Sequence, residues 1–359
     1  MSEKLDQLRK RIDALDEQIQ RSLNERAACA QQVAEAKHQE EGDVIYYRPE
    51  REAEVLRLVR ERNQGPLTDD EMVRLFREIM SACLALEHPL TVAYLGPEGT
   101  YTQAAALKHF GHSVSLSPLT AIDEVFRDVE AGSADFGVVP VENSTEGAIN
   151  HTLDMFIRSP LKICGDVELR IHHQLLSAGE DRGAIEKVYA HQQALAQCRE
   201  WLGAHLPRAE RIAVSSNAEA ARLVGGDPSA AAIASDAAAE MYDLNILAAN
   251  IEDDPNNTTR FLVIGLHEPE PSGKDKTSLM VTVHNEAGAL YSLLEPVARH
   301  GVSMTKIESR PSRASKWDYV FFVDVEGHVD EENVAAAIRA LSESSASLKV
   351  LGSYPRCEL

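Results

Sequence analysis

Residues 3–38 contain neither proline nor glycine, and their apolar positions recur at alternating spacings of three and four. The seam runs through Leu5, Leu8, Ile12, Leu15, Ile19, Ser22, Arg26, Cys29 and Val33. That is the heptad by which one helix packs against partner helices. At 1.5 Å per residue such a helix is about 50 Å long. A second, shorter helix opens at Arg48-Pro49, with proline placed at a first turn, and stops near Gly65-Pro66. A third begins at Thr68-Asp69-Asp70-Glu71, which has the form of a capping box flanked by a Leu67/Met72 staple, and ends at His88-Pro89. Helices of such unequal length close no compact monomer. The pattern therefore predicts two interlocked copies, a homodimer or a larger homo-oligomer.

Beyond residue 90 the pattern changes. Short apolar runs at 91–95, 134–141, 161–169, 187–190, 211–214, 231–234 and 259–266 alternate with helical stretches, which predicts an α/β block with a parallel or mixed sheet. A segment over 268–274, with two prolines and a Ser-Gly, reads as a linker. The last block reads strand, helix, strand, strand, helix, strand, the ferredoxin-like α+β order. The expected fold is thus multidomain: an all-α three-helix block over 1–90, an α/β block over 91–267 and an α+β block over 275–355.

Charge narrows the partners. The chain has 36 basic and 57 acidic side chains, 36 − 57 = −21, which argues against nucleic acid and against an anionic membrane surface. No apolar run has the length of a membrane span, and the first residues form no signal-peptide core. Cys29, Cys83, Cys164, Cys198 and Cys357 form no CxxC pair, so free thiols in a cytoplasmic protein are expected. No motif for a metal, a nucleotide or another cofactor is present, and none is expected.

Against this acidic background, cations sit where a helical core should be. Arg26 occupies a seam position, where an unpaired charge is costly to bury. Arg26 and Lys37 are eleven residues apart, roughly 1100° of rotation, which places them on nearly one face and roughly 16 Å apart, able to hold a small dianion between them. Helix two carries a stripe of Arg48, Glu52, Val55 and Val59, and helix three one of Phe76, Met80, Cys83 and Glu87. Ion pairs at the edge of a bundle would account for any one of these charges.

The arrangement Leu8-Arg9, Glu25-Arg26, Ala36-Lys37 and Arg48-Pro49-Glu50-Arg51-Glu52 resembles the all-helical chorismate mutases. The resemblance implies a pericyclic rearrangement of chorismate to prephenate, assisted by a compact substrate conformer and by charge at the breaking ether bond. It implies that Arg26 and an Arg9 from a partner protomer grip two carboxylates. Lys37 faces the ether oxygen, while Glu52 and the Arg48 backbone meet the ring hydroxyl. The best-known bacterial members carry Gln and Ser where this chain has Glu87 and Cys83. Glu87 can therefore donate to the ether oxygen only when protonated, which burial and an anionic substrate both favour.

In the α/β block, Gly96-Pro97-Glu98-Gly99-Thr100 is either a carboxylate cradle or a plain turn. Glu142-Asn143-Ser144-Thr145-Glu146-Gly147 is a strand end feeding a polar turn and then a helix, where α/β folds place ligands. With Thr258-Thr259-Arg260-Phe261, these strings resemble prephenate dehydratase, which implies two α/β lobes around a cleft and loss of carbon dioxide and water from prephenate. The resemblance makes Thr259 the essential residue, its hydroxyl donating to the departing ring oxygen without carrying charge. Arg260 is either a carboxylate clamp or a salt bridge beneath the strand. Thr100, Asn143, Ser144, Thr145 and Gln197 are candidate substrate contacts. His172-His173 reads as strand filler, the two rings pointing to opposite faces.

The strings Asn285-Glu286-Ala287-Gly288-Ala289-Leu290 and Glu308-Ser309-Arg310-Pro311 resemble the ACT regulatory domain. They imply a phenylalanine effector site, with Gly288 allowing close backbone approach and Glu308 or nearby carbonyls meeting the ammonium group. Taken in order, the three blocks resemble the bifunctional chorismate mutase/prephenate dehydratases over about 5 to 355. Two rival readings are a non-catalytic metabolite sensor and a dehydratase whose mutase block is vestigial.

Overall fold

The computed structural model describes residues 2–38, 45–283, 286–311 and 319–357. They fall into two compact units, Met1–Leu90 with Phe110–Ser115, and Thr91–His109 with Leu116–Leu359.

The first unit is helical: α1 (Ser2–His38), α2 (Pro49–Arg62) and α3 (Asp69–Glu87). The Thr68 hydroxyl caps α3 by accepting from the Glu71 N–H at 3.2 Å. The Glu71 carboxylate meets Arg74. The long helix is lopsided. Every residue from 3 to 25 is exposed, including Leu5, Leu8, Ile12, Leu15 and Ile19, and only the last turns carry a buried residue, Ala34. A run of aliphatic side chains left in water on so long a helix lacks the packing that normally stabilises one.

The second unit begins with β1 (Thr91–Leu95), α4 (Tyr101–Phe110), β2 (Ser115–Leu119), α5 (Ile122–Glu130), β3 (Phe136–Asn143), β4 (Gly147–Ala148), α6 (Asn150–Arg158) and β5 (Lys162–Arg170). The chain then crosses to β6 (Gln174–Ser177), β7 (Lys187–His191), α7 (Gln192–Gln197), α8 (Arg199–His205), β8 (Glu210–Val214), α9 (Asn217–Val224), β9 (Ala230–Ala234), α10 (Asp236–Met241) and β10 (Asn245–Ala248). It returns as β11 (Thr258–Gly265), which inserts antiparallel between β3 and β5. The first sheet has the order β2-β1-β3-β11-β5, with β4 on β3; the second has β10-β6-β9-β7-β8. Two lobes thus share two crossing segments, 171–173 and 249–257. These segments bond to each other through Ile251 N–H to His173 O and Ile171 N–H to Asn257 O, both 2.8 Å. His172 and His173 lie in the first crossing and not in a strand, because the chain must leave one sheet there to enter the next.

The C-terminal sheet, β12 (Asp275–Val283), β13 (Met304–Pro311), β14 (Tyr319–Glu326) and β15 (Ser347–Pro355), has the order β13-β14-β12-β15. One face is covered by α11 (Ala289–Arg299) and α12 (Glu332–Ser344) through Leu279, Val281, Val323, Leu293 and Val334. The other face joins the first lobe in one core: Met280, Phe322, Leu351 and Tyr354 pack with Val141, Phe156, Ile163 and Leu262. Gly352 permits the closest approach, since a Cβ there would lie 2.2 Å from the Ile163 carbonyl oxygen. The segment read as a linker is no loose tether. Its Ser272 hydroxyl donates to buried Asp275 at 2.6 Å, and the Ser272 and Gly273 N–H groups bond the same carboxylate.

Candidate active sites

In the helical unit, Lys37 near the end of α1 faces Glu87 at the end of α3, with Nζ 3.8 Å from Oε2. Glu87 Oε2 is buried and accepts no hydrogen bond among the described residues. Burial pushes the Glu87 pKa up, while Lys37 and Arg26 oppose that rise, so Arg26 shares the cluster. Cys83, one turn earlier on α3, is buried. Burial also raises Glu52, against the pull of Arg77, whose Nε donates to Glu52 Oε1 at 3.4 Å, and of the Tyr47 hydroxyl. Arg77 escaped the sequence reading because it adjoins the apolar stripe of α3 without belonging to it.

Arg48 adjoins Glu52 at the start of α2, and Arg9 stands apart from the cluster. The Arg48 carbonyl accepts from the Glu52 N–H at 3.1 Å, which ties that part of its backbone to the start of α2. Arg9 is exposed beside Asp6. It precedes Arg26 by 26 − 9 = 17 residues, about 25 Å along a straight helix, so it cannot reach the cluster of its own chain.

In the second unit, Thr259 pairs with Asn143 across β11 and β3 and is nearly buried, at 9% exposure. Their side chains join one hydrogen-bonded set whose direction is fixed by a single backbone group. The Thr145 N–H lies 3.1 Å from the Asn143 amide, and an N–H can only donate, so the atom it meets is Oδ1. Asn143 Nδ2 then donates to Thr259 Oγ1 and to Asn257 Oδ1, both at 2.9 Å. Asn257 Nδ2 donates to Gln197 Oε1 at 3.2 Å. Gln197 Nε2 donates to Thr145 Oγ1 at 2.9 Å, and that hydroxyl returns to Asn143 Oδ1 at 2.6 Å. Thr259 therefore receives a hydrogen bond, and its own proton has no acceptor among the described residues. Thr145, Gln197 and Asn257 open onto a cavity of about 310 Å³ that Glu146, Glu252, Asp253 and Asp254 also line. Thr259 stands two hydrogen bonds behind that lining, reached through Asn143.

Asn257 is the member the sequence reading missed, although it lies two residues before Thr259 and so on the same strand-like face. Ser144 sits beside the set, holding the Thr258 N–H at 2.9 Å. Thr100 does not join it. Its hydroxyl donates to the Leu95 carbonyl at 3.2 Å at the start of α4.

Arg260 corrects an expectation. Strand alternation turns it away from Thr259, toward the C-terminal sheet. Nε donates to Asp166 at 3.0 Å, one Nη to Asp324 at 2.6 Å and the other to the Tyr354 hydroxyl at 3.0 Å. Against the burial that alone would raise it, Arg260 and Lys276 hold the Asp166 pKa low. The salt bridge beneath the strand is the alternative that the structure realises, and the carboxylate clamp is not.

On the C-terminal sheet, Gly288 has φ +90 and caps α11 in the left-handed region, where only glycine is unstrained. Ala289 and Leu290 open that helix, and Leu290 is exposed. Asn285 lies outside the described residues. The string Glu308 to Pro311 divides by alternation. Ser309 and Pro311 share the helix-covered face with Ile307, opposite Phe321 and Tyr319 of β14, whereas Glu308 and Arg310 share the other with Lys306. Arg310 donates to the Asn150 carbonyl at 2.6 Å and pairs with Asp154 at 3.1 Å. Lys306 pairs with Glu142 at 2.5 Å. Arg310 is thus a contact to the first lobe rather than part of an effector pocket.

Family models match in three consecutive stretches: chorismate mutase type II over residues 8–88, prephenate dehydratase over 92–269 and the ACT domain over 277–343. The bifunctional chorismate mutase/prephenate dehydratase of Stutzerimonas stutzeri is 56% identical, covering 100% of this chain and 99% of that one. The protein of the same description from Pseudomonas aeruginosa is 56% identical over 99% of each.

The chain belongs to the bifunctional chorismate mutase/prephenate dehydratase family.

Among solved structures, a prephenate dehydratase from Arthrobacter aurescens in complex with L-Phe is 36% identical. It superposes with a TM-score of 0.69 over 74% of this chain and 90% of that one. The mutase-like cluster of Lys37, Arg26 and Glu87 and the dehydratase-like set around Thr259 lie within the stretches matched by the corresponding family models. No helix among the described residues is long and apolar enough to cross a membrane.

Proposed function

We propose that the chain rearranges chorismate to prephenate at the helical cluster and converts prephenate to phenylpyruvate at the cleft of the second unit. Its modules are taken as 1–90, 91–267 and 275–355, acting in the cytoplasm. The rearrangement needs no proton shuttle. Arg26, Lys37 and an Arg9 from a second copy hold the dianion folded, with protonated Glu87 donating to the ether oxygen as it gains charge. Glu52 meets the ring hydroxyl. The exposed seam of α1 and the distance of Arg9 from its own cluster support a dimer.

The observation that carries the dehydratase reading is the direction of the Asn143–Thr259 hydrogen bond. Because Asn143 Nδ2 donates to Thr259 Oγ1, the Thr259 proton is left to serve the departing ring hydroxyl. As the bond to the ring carboxylate breaks, its electron pair restores the aromatic ring and carbon dioxide leaves. The hydroxyl departs as water with the proton Thr259 supplies, which solvent later replaces. A neutral donor suits a cavity already lined by four carboxylates, where a substrate anion needs N–H and O–H groups. Phenylalanine acts at the turn of Gly288 to Leu290 and at Ser309. Arg310 and Lys306 carry the effect to the first lobe. Spectroscopic turnover of chorismate and then of prephenate by one preparation, with and without phenylalanine, tests the whole reading.

A further inference from the structure

Gln197 shows the cavity an amide that could present either N–H or C=O, and an anionic substrate tolerates only the first. What settles the choice lies behind it, in the crossing between the lobes. His173 is 2% exposed. Its Nε2 is 2.9 Å from Gln197 Oε1 and its Nδ1 is 3.1 Å from the Tyr101 hydroxyl, with the two rings edge to face. Its backbone is pinned on both sides. The His173 N–H donates to Glu252 Oε2 at 2.8 Å and its carbonyl accepts from Ile251.

The chain of donors that begins at the Thr145 N–H leaves Gln197 Oε1, not Nε2, facing the imidazole. His173 Nε2 therefore carries hydrogen and donates. The Tyr101 hydroxyl has one proton for two neighbours, His173 Nδ1 and the His172 carbonyl at 2.6 Å. Neutral His173 takes that proton at Nδ1, whereas charged His173 gives one to Tyr101, which then donates to His172. Either way the Nε2–H stays on Gln197.

We propose that His173 is a positioning residue of the dehydratase: its Nε2–H, with the Asn257 amide, locks the Gln197 carboxamide so that N–H faces Thr145 and the substrate. This rests on the cleft reading above. The lock also joins the lobes at their hinge, because Tyr101 belongs to the first and Gln197 to the second. Released, the amide can turn its oxygen toward the bound anion, which weakens the transition state more than it weakens binding.

The test is steady-state kinetics with prephenate on the full chain. His173→Phe, which keeps a ring but loses the donor, is expected to lower kcat about ten- to a hundredfold with KM within about threefold. That loss is smaller than the roughly hundred- to thousandfold loss of a direct donor. Mutase turnover should be unchanged. His173→Gln, which restores an N–H at similar reach, should recover most of the loss. In a double-mutant cycle, His173→Phe should add nothing to Gln197→Ala. Parental kcat in His173→Phe, equal losses in the Phe and Gln variants, or fully additive effects with Gln197→Ala each overturn the role. If His173→Phe fails to fold, by loss of a cooperative melt, His173→Gln decides alone. A rate near the parent supports the lock, and a rate like that of Gln197→Ala overturns it. A Thr259→Val enzyme that still dehydrates would instead sink the cleft reading.

Discussion

The two sites solve opposite problems with opposite materials. The helical cluster gathers the long side chains of Arg26 and Lys37 from one helix beside a buried Glu87 from another. The cleft uses short neutral groups, Asn143, Thr145, Asn257 and Thr259, locked by mutual hydrogen bonds within one unit. A rearrangement that moves charge without moving protons needs field strength, so fixed ions suit it. Expelling hydroxide needs a hydrogen delivered at one atom, so the direction of each hydrogen bond matters more than net charge. The cleft tolerates four acidic neighbours for that reason, while the helical cluster depends on cations held beside a buried Glu87.

The contrast can be broken by exchange. Thr259→Val is expected to cost the dehydratase about a thousandfold or more in kcat, within the range for loss of an acid group, while mutase turnover holds. Thr259→Ser should keep a substantial part of the rate. Lys37→Ala should cost the mutase about a hundred- to a thousandfold and leave prephenate turnover alone, as steady-state assays of both substrates would record. Arg260→Met removes one partner of a buried ion network. It should lower unfolding stability by about 3 kcal/mol in denaturant melts. At a temperature where the protein stays folded, KM for prephenate should remain within about threefold. A large KM rise there would restore the carboxylate clamp.

Smaller effects sharpen the picture. Ile12→Asp on the exposed seam should dissociate the proposed dimer in sedimentation experiments. Mutase activity should then fall about tenfold at low protein concentration, through loss of the partner's arginine. Glu87 gives the gentlest test. Burial raises its pKa, so the donor persists above the ordinary carboxyl range and disappears as pH rises through the folded value. Mutase activity should therefore decline toward high pH, and Glu87→Gln should flatten the profile, because an amide donates at every pH. Equal high-pH losses in parent and variant would remove Glu87 from the role.

Much of this was legible in the sequence because periodicity reports faces. The heptad of α1 and the α11 and α12 patterns emerge directly, whereas Thr259, at the start of β11, was singled out only by the resemblance of its motif. Arg260 was ambiguous, since chemistry alone allows a guanidinium to clamp a substrate or to neutralise Asp166. Only the packing of a second sheet under β11 decides between them. The shared core of Tyr354, Phe322 and Leu262 was hidden for the same reason: a two-proline segment reads as a spacer whether or not the domains beside it touch. His173 was dismissed on strand alternation, which fails where the chain leaves a sheet.

The central claim is that one chain carries both chemistries in separate places, and that Thr259 serves only the second. Feeding chorismate to the Thr259→Val protein and following both products spectroscopically tests it most directly. The account predicts that prephenate accumulates at the parental rate and that phenylpyruvate does not form. Phenylpyruvate at an undiminished rate, or a parallel loss of chorismate consumption, would contradict it.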